Sequence, residues 1–326
     1  MTPIENYNRV LRRNRPAYVP VDGISVGAAY HGAWPGQSRP APGVLEWRDE
    51  WNVGWKDADG EVFPVLPSVP SCEDVGLIIP PDPRRAGRFD EIRAIAARLD
   101  RGTRVLSLGH PYFLYEKAIN IFGPEEFLVS LIGAPDKANR LLDTIIGFEL
   151  GIADEYVKFK PEHVNLSDDY GHQDRLAMSP AHWREYIKPR IKRVIDFYRA
   201  RLGPGTVVSF HSCGHVMPIL EDFAELGVDI LHPVQSRAND MKELRRITSG
   251  TITLAGGIDG QQVLPHGTPG DVRREVFEKL DLLWEGGGYL PMPEKTLGVP
   301  QENIDAMNQA IRDWSARNVG MVPEET

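Results

Sequence analysis

From about residue 160 onward the chain repeats one pattern. A short β-branched or apolar run ends in a polar or glycine-containing tip, and an amphipathic stretch with helix-cap signals follows. "HVNLSDDYG" leads into "SPAHWREYIKPRIKRVIDFYRARL", which opens with Ser179 as an N-cap and Pro180 at the first helical position. "TVVSFHSCG" precedes a helix near 215–226, and "VDILHPVQ" precedes one near 240–248. "TITLAGGID" leads after a loop to "TPGDVRREVFEKLDLLWEGGG", capped by Thr268-Pro269 and stopped by glycines. Four strand–helix units in succession require a parallel sheet, because parallel neighbours can be joined only by a crossover.

Upstream the pattern loosens. "AYVPVDGIS" and "TRVLSLGH" read as strands, and "RFDEIRAIAARLD" and region 137–158 read as helices. Residues 31–85, rich in Pro, Gly and Trp, show little periodicity and are expected to form an irregular excursion wrapping over the rest. Seven or eight strands alternating with helices over ~250 residues is the size of a (β/α)8 TIM barrel. No GxGxxG follows the first strand to favour an open doubly wound sheet. The expectation is one α/β barrel domain over 1–326.

Composition restricts the partners. The chain of 326 residues is 41% hydrophobic and carries a formal charge of −9 with its basic residues scattered, so nucleic acid is an unfavourable partner. No run approaches the roughly 20 apolar residues of a membrane helix, and "MTPIENYNRVLRRNRP" lacks an apolar signal core, which points to a cytoplasmic protein off the membrane. The sequence is compatible with a homo-oligomer. Its two cysteines, Cys72 and Cys213, form no disulfide framework and are expected as thiols, ligands or catalytic groups.

In a barrel, chemistry collects at the C-terminal ends of the strands. Residues i and i+2 of a strand share a face, so His211 and Cys213 are expected to aim together at the mouth, as a zinc-type pair or as a buried thiol beside a hydrogen-bonded histidine. "LSDDYGHQD" places Asp168, Asp169, Tyr170, His172 and Gln173 in one strand-to-helix loop, where a carboxylate can orient a histidine, accept a proton or bind substrate. His110 and Tyr112, His232 and Gln235, and Gly257 with Asp259 occupy the other tips, as substrate contacts or as plain turn residues. Trp47, Trp51, Trp55 and Phe63 can wall a pocket over the mouth or simply pack.

The runs "LSDDYGHQDRLAMSPAHWREYIKPRIKRVID", "FHSCGHVMPILEDFAELGVDILHPVQ", "LAGGIDGQQVLPHGTPGDVRREV" and "GGGYLPMPEKTLGVPQENIDAM" together resemble the uroporphyrinogen decarboxylase superfamily over most of residues 90–312, with an echo in "NRVLRRNRPAYVPVDG". The resemblance implies a (β/α)8 barrel. Decarboxylases of this superfamily carry an arginine-rich stretch after the first strand to grip porphyrinogen carboxylates. This chain has no arginine between Arg15 and Arg39. The resemblance therefore points to the cobalamin-dependent methyltransferase branch, which moves a methyl group between a small substrate and a corrinoid protein.

In that branch a His-x-Cys pair and a later cysteine hold zinc. His211 and Cys213 match the first two positions, and "YLPMPEK" puts Glu294 where the third would stand. The implied activity is zinc-dependent transfer from a small O-methyl donor to a corrinoid, or from a corrinoid to a thiol. Demethylation is favoured because an oxygen ligand tilts the ion toward oxygen donors. Asp169 or Asp259 would exchange a proton with the substrate oxygen. The competing expectations are a metal-free lyase acting on a small carboxylic acid and a non-catalytic ligand-binding barrel.

Overall fold

The computed structural model describes residues 1–21, 23–295 and 298–320. Seven parallel strands form the central sheet in the order β1 (Ser25–Ala29), β5 (Val105–His110), β6 (His163–Ser167), β7 (Val207–His211), β8 (Ile230–His232), β9 (Thr253–Ile258) and β10 (Tyr289–Pro293). Strand order follows chain order, as successive right-handed crossovers dictate.

The sheet curls on itself. Ile24 just before β1, Val105 of β5, Ile230 of β8 and Ala255 of β9 pack into one apolar cluster with Tyr7 of the N-terminal helix Pro3–Leu11. Near the seam Val10 O accepts from Gly288 N at 2.7 Å, and Arg13 Nη2 donates to Ile252 O at 2.7 Å. Among the described residues no ladder joins β1 to β10, and the seven parallel strands form a curled sheet consistent with the barrel expected from the sequence.

Two expectations shift. The first strand lies at Ser25–Ala29 rather than in "AYVPVDGIS", because Pro16 and Pro20 remove donors a parallel ladder needs. The excursion 31–85 is not wholly irregular: β2 (Glu46–Arg48), β3 (Gly54–Ala58) and β4 (Glu61–Leu66) make an antiparallel sheet, turned at Asp59-Gly60. Pro64 and the irregular register at Gly54/Trp55 mask its alternation in the sequence. Trp47, Trp51 and Trp55 are buried and join the main core, so the excursion is anchored by apolar burial.

The helix expected from Ser179 onward does begin there, with the Ser179 hydroxyl accepting from His182 N at 3.1 Å. It then widens to a π turn at Trp183–Ile187 before continuing as Lys188–Leu202. Pro189 has no N–H to return to Glu185, which is the physical cause of the widening.

Side-chain parity on the strands places the site. Gly27 and Ala29 on β1, Ser107 and Gly109 on β5, Asn165 and Ser167 on β6 and His211 on β7 all line one interior cavity. Most of these groups are small, so this sector of the interior is left open rather than filled by the branched side chains that usually pack a barrel. No helix is long and apolar enough to cross a membrane among the described residues.

Candidate metal and substrate site

The cavity holds about 490 Å³ and is also lined by Trp34, Pro111, Tyr112, Glu116 and Asp169. Two of its lining residues, Asp169 and His211, form a group with Cys213 in which the ligand atoms lie within 4.8 Å of one another. His211 Nε2 is 3.4 Å from Cys213 Sγ and 3.5 Å from Asp169 Oδ1. Asp169 Oδ1 accepts from Cys213 N at 2.8 Å, which ties the two loops together.

The loops approach each other closely because Gly171 and Gly214 cross backbone to backbone, and a Cβ on either would collide with the other's main chain. Gly171 N donates to Cys213 O at 3.2 Å, and His215 N to His172 O at 2.7 Å. Glycine is required at 214 twice over, since its φ is +79°.

His211 is held from its other side. Registry sets it beside His232 on β8, and the two Nδ1 atoms are 2.9 Å apart. Burial holds the His232 imidazole down to about 3, so it faces His211 neutral and can accept its Nδ1 proton. In that tautomer His211 Nε2 presents a lone pair toward Cys213 and Asp169. Burial, reinforced by Asp169, pushes the Cys213 thiol up to about 12. A nitrogen, a sulfur and a carboxylate oxygen around one point form a donor set that a divalent zinc-type ion accepts, and its charge would offset the cost of the thiolate.

The remaining candidates separate. Tyr112 lines the cavity with its backbone held at φ 49°. Asp168, fully buried, accepts from the N–H groups of Leu114, Tyr115 and Glu116 at 3.2, 2.7 and 2.8 Å and from the Tyr170 hydroxyl at 2.8 Å. It therefore caps the helix Tyr115–Phe122, and Tyr170 serves it from the core.

His110 points outward from β5, its Nδ1 2.7 Å from Glu149 Oε2 and its Nε2 2.6 Å from the Tyr198 hydroxyl, and Lys117 completes that buried network on Glu149. His172 and Gln173 lie exposed on the loop, and Gln173 donates to Arg237 O. Gln235 accepts from Gly214 N at 2.6 Å and supports the Cys213 loop. Gly257 sits at φ +77° against Met241 and Tyr289.

Asp259 and Glu294 lie toward the β9–β10 side. Asp259 is 2.5 Å from Arg237 Nε and accepts from Gln261 N and Gln262 N; burial works to raise its pKa, and these donors outweigh it. Glu294 Oε1 accepts from Ser236 N at 2.6 Å, and Glu294 is not part of the three-residue group. Asp169 supplies the carboxylate oxygen of that group. A carboxyl that the sequence did not single out, Glu116, lines the cavity in the first turn of its helix and accepts from Asp169 N at 3.3 Å. Burial, then Asp168 and Asp169, raises its pKa. An acidic residue in a first turn is ordinary capping chemistry, so only the fold reveals its place.

The family model described as uroporphyrinogen decarboxylase (URO-D) matches residues 52–314. Among solved structures, a methyltransferase from Methanosarcina mazei is similar in fold, with a TM-score of 0.71 at 18% identity, over 95% of this chain and 98% of that chain. A search of curated proteins finds no match. With more than half its length matched, this chain belongs to the uroporphyrinogen decarboxylase (URO-D) family.

Proposed function

We propose that this chain is a zinc-dependent methyltransferase that takes a methyl group from a small O-methyl compound and passes it to a corrinoid carried by a partner protein. The observation that carries the reading is the group Asp169–His211–Cys213 beside a small-substrate cavity. The likeness in fold to the Methanosarcina mazei methyltransferase supports it. The lining contains no lysine or arginine among the described residues, which disfavours a decarboxylase gripping several substrate carboxylates.

Asp169, His211 and Cys213 would hold the zinc. Bound there, zinc supplies Lewis acidity that draws charge from an ether oxygen or lowers the pKa of a thiol. His232 keeps the His211 proton on Nδ1 and so directs Nε2 to the ligand position. Asp169 braces Cys213 through its backbone N–H while presenting a carboxylate oxygen. Trp34 and Tyr112 shield the cavity from water and orient a compact substrate. A cavity of this size suits the small substrate, and the corrinoid would approach from its open side.

The test is to incubate the zinc-loaded protein with free cob(I)alamin and a panel of small methyl ethers, following formation of methylcobalamin by absorbance. The expected result is methylation that is lost on chelation and in Cys213→Ala. Chelator-resistant turnover, or release of CO2 from a small carboxylic acid, would contradict the proposal.

A further inference from the structure

Trp34 and Tyr112 form an aromatic corner in the cavity lining. Trp34 and Tyr112 meet edge to face, centroids 5.9 Å apart at 80°, and Tyr112 is backed by the buried Trp55 at 6.0 Å and 68°. Tyr112 is locked into that corner by a left-handed backbone that a tyrosine rarely adopts, so the ring's placement is enforced by the fold. Trp34, by contrast, is half exposed and contributes no core burial that would explain a large ring at this position.

The electrostatics of the lining point one way. Its acidic side chains are Glu116 and Asp169, with no lysine or arginine among the described residues. The nearest cation along the chain, Lys117, turns away from the cavity to Glu149 at 2.7 Å and Tyr30. An anionic substrate would find no countercharge in this lining, and a neutral one would leave the aromatic corner without an electrostatic role.

We infer that the substrate of this site carries a substituted ammonium group, seated in the Trp34–Tyr112 corner with the Glu116 carboxyl nearby. A ring face attracts a soft cation whose methyl groups also bury apolar area, so one corner supplies both terms. The methyl-transfer reading enters only in naming the cavity as the substrate site.

The experiment compares three isosteric probes by calorimetry on the zinc-loaded protein: choline, the neutral 3,3-dimethyl-1-butanol and the anionic 3,3-dimethylbutanoate. Choline is expected to bind about tenfold more tightly than the alcohol, and the carboxylate weakest. Trp34→Leu, which keeps apolar area but removes the ring face, should erase most of that preference while the zinc content of the choline-free protein stays at the wild-type level. Equal binding of choline and the alcohol, tightest binding of the carboxylate, or no binding of choline would overturn the inference. Because zinc content is read in the same samples, absence of zinc with choline preference intact would count against the methyl-transfer reading alone.

Discussion

Two groups of carboxylates stand at strand ends on the same rim, and their surroundings give them opposite roles. At β6–β7, Asp169 shares a point with His211 and Cys213 and faces an open cavity. At β9–β10, Asp259 is matched by Arg237 and two backbone N–H groups, Glu275 accepts from Asp259 N at 3.1 Å, and Glu294 accepts from Ser236 N. Among the described residues Glu275 Oε2 and Glu294 Oε2 are buried without a hydrogen-bond partner, and burial raises both pKa values. A rim carboxylate thus joins a candidate metal site where nitrogen and sulfur donors converge on it, and is a structural group where arginine and backbone amides reach it first.

The largest effect that would break this contrast is on zinc affinity. Cys213→Ala is expected to weaken it by more than the roughly 100-fold that removal of a mere supporting group can cost, as measured by competition with a chromophoric chelator. A loss of tenfold or less would place the sulfur outside the site.

Acid sensitivity sharpens the contrast from the opposite end of the barrel. Burial holds the His163 imidazole, stacked on Tyr7, at about 4 against an ordinary 6.5. As pH falls the unfolded chain takes up that proton first, so the stabilisation is complete above 6.5 and is lost between 6.5 and about 4. The loss should reach up to about 3 kcal/mol in denaturant titrations. His163→Asn should flatten that slope, and an unchanged slope would show that other groups dominate.

His232→Phe comes next. It removes the acceptor of the His211 Nδ1 proton and should weaken zinc by about 10- to 100-fold at nearly constant Tm. The smallest effect is expected from Glu294→Gln, which should leave zinc affinity within about twofold. A fall comparable to that of Cys213→Ala would move the third ligand to β10 and erase the difference between the two clusters.

The parallel strand–helix rhythm was legible because each strand ends in a polar tip and each helix opens with a cap such as Ser179 or Thr268. The pairing of His211 with Cys213 was legible as well, since alternation along a strand is local. His110 lies off the cavity, and only the fold shows that its ring turns outward to Glu149. Asp169 and Glu294 could not be ranked from the sequence, because which of them meets His211 depends on a glycine crossing between loops more than 40 residues apart. Glu116 carried no signal at all. Its role in the lining exists only because Asp168 draws the start of its helix to the rim.

X-ray absorption at the zinc edge tests the central claim most directly. The account predicts one sulfur at about 2.3 Å with the remaining scatterers nitrogen and oxygen at about 2.0–2.2 Å, one of them lost in Asp169→Ala and none in Glu294→Gln. A shell with no sulfur, or one altered by Glu294→Gln and indifferent to Asp169→Ala, would contradict it.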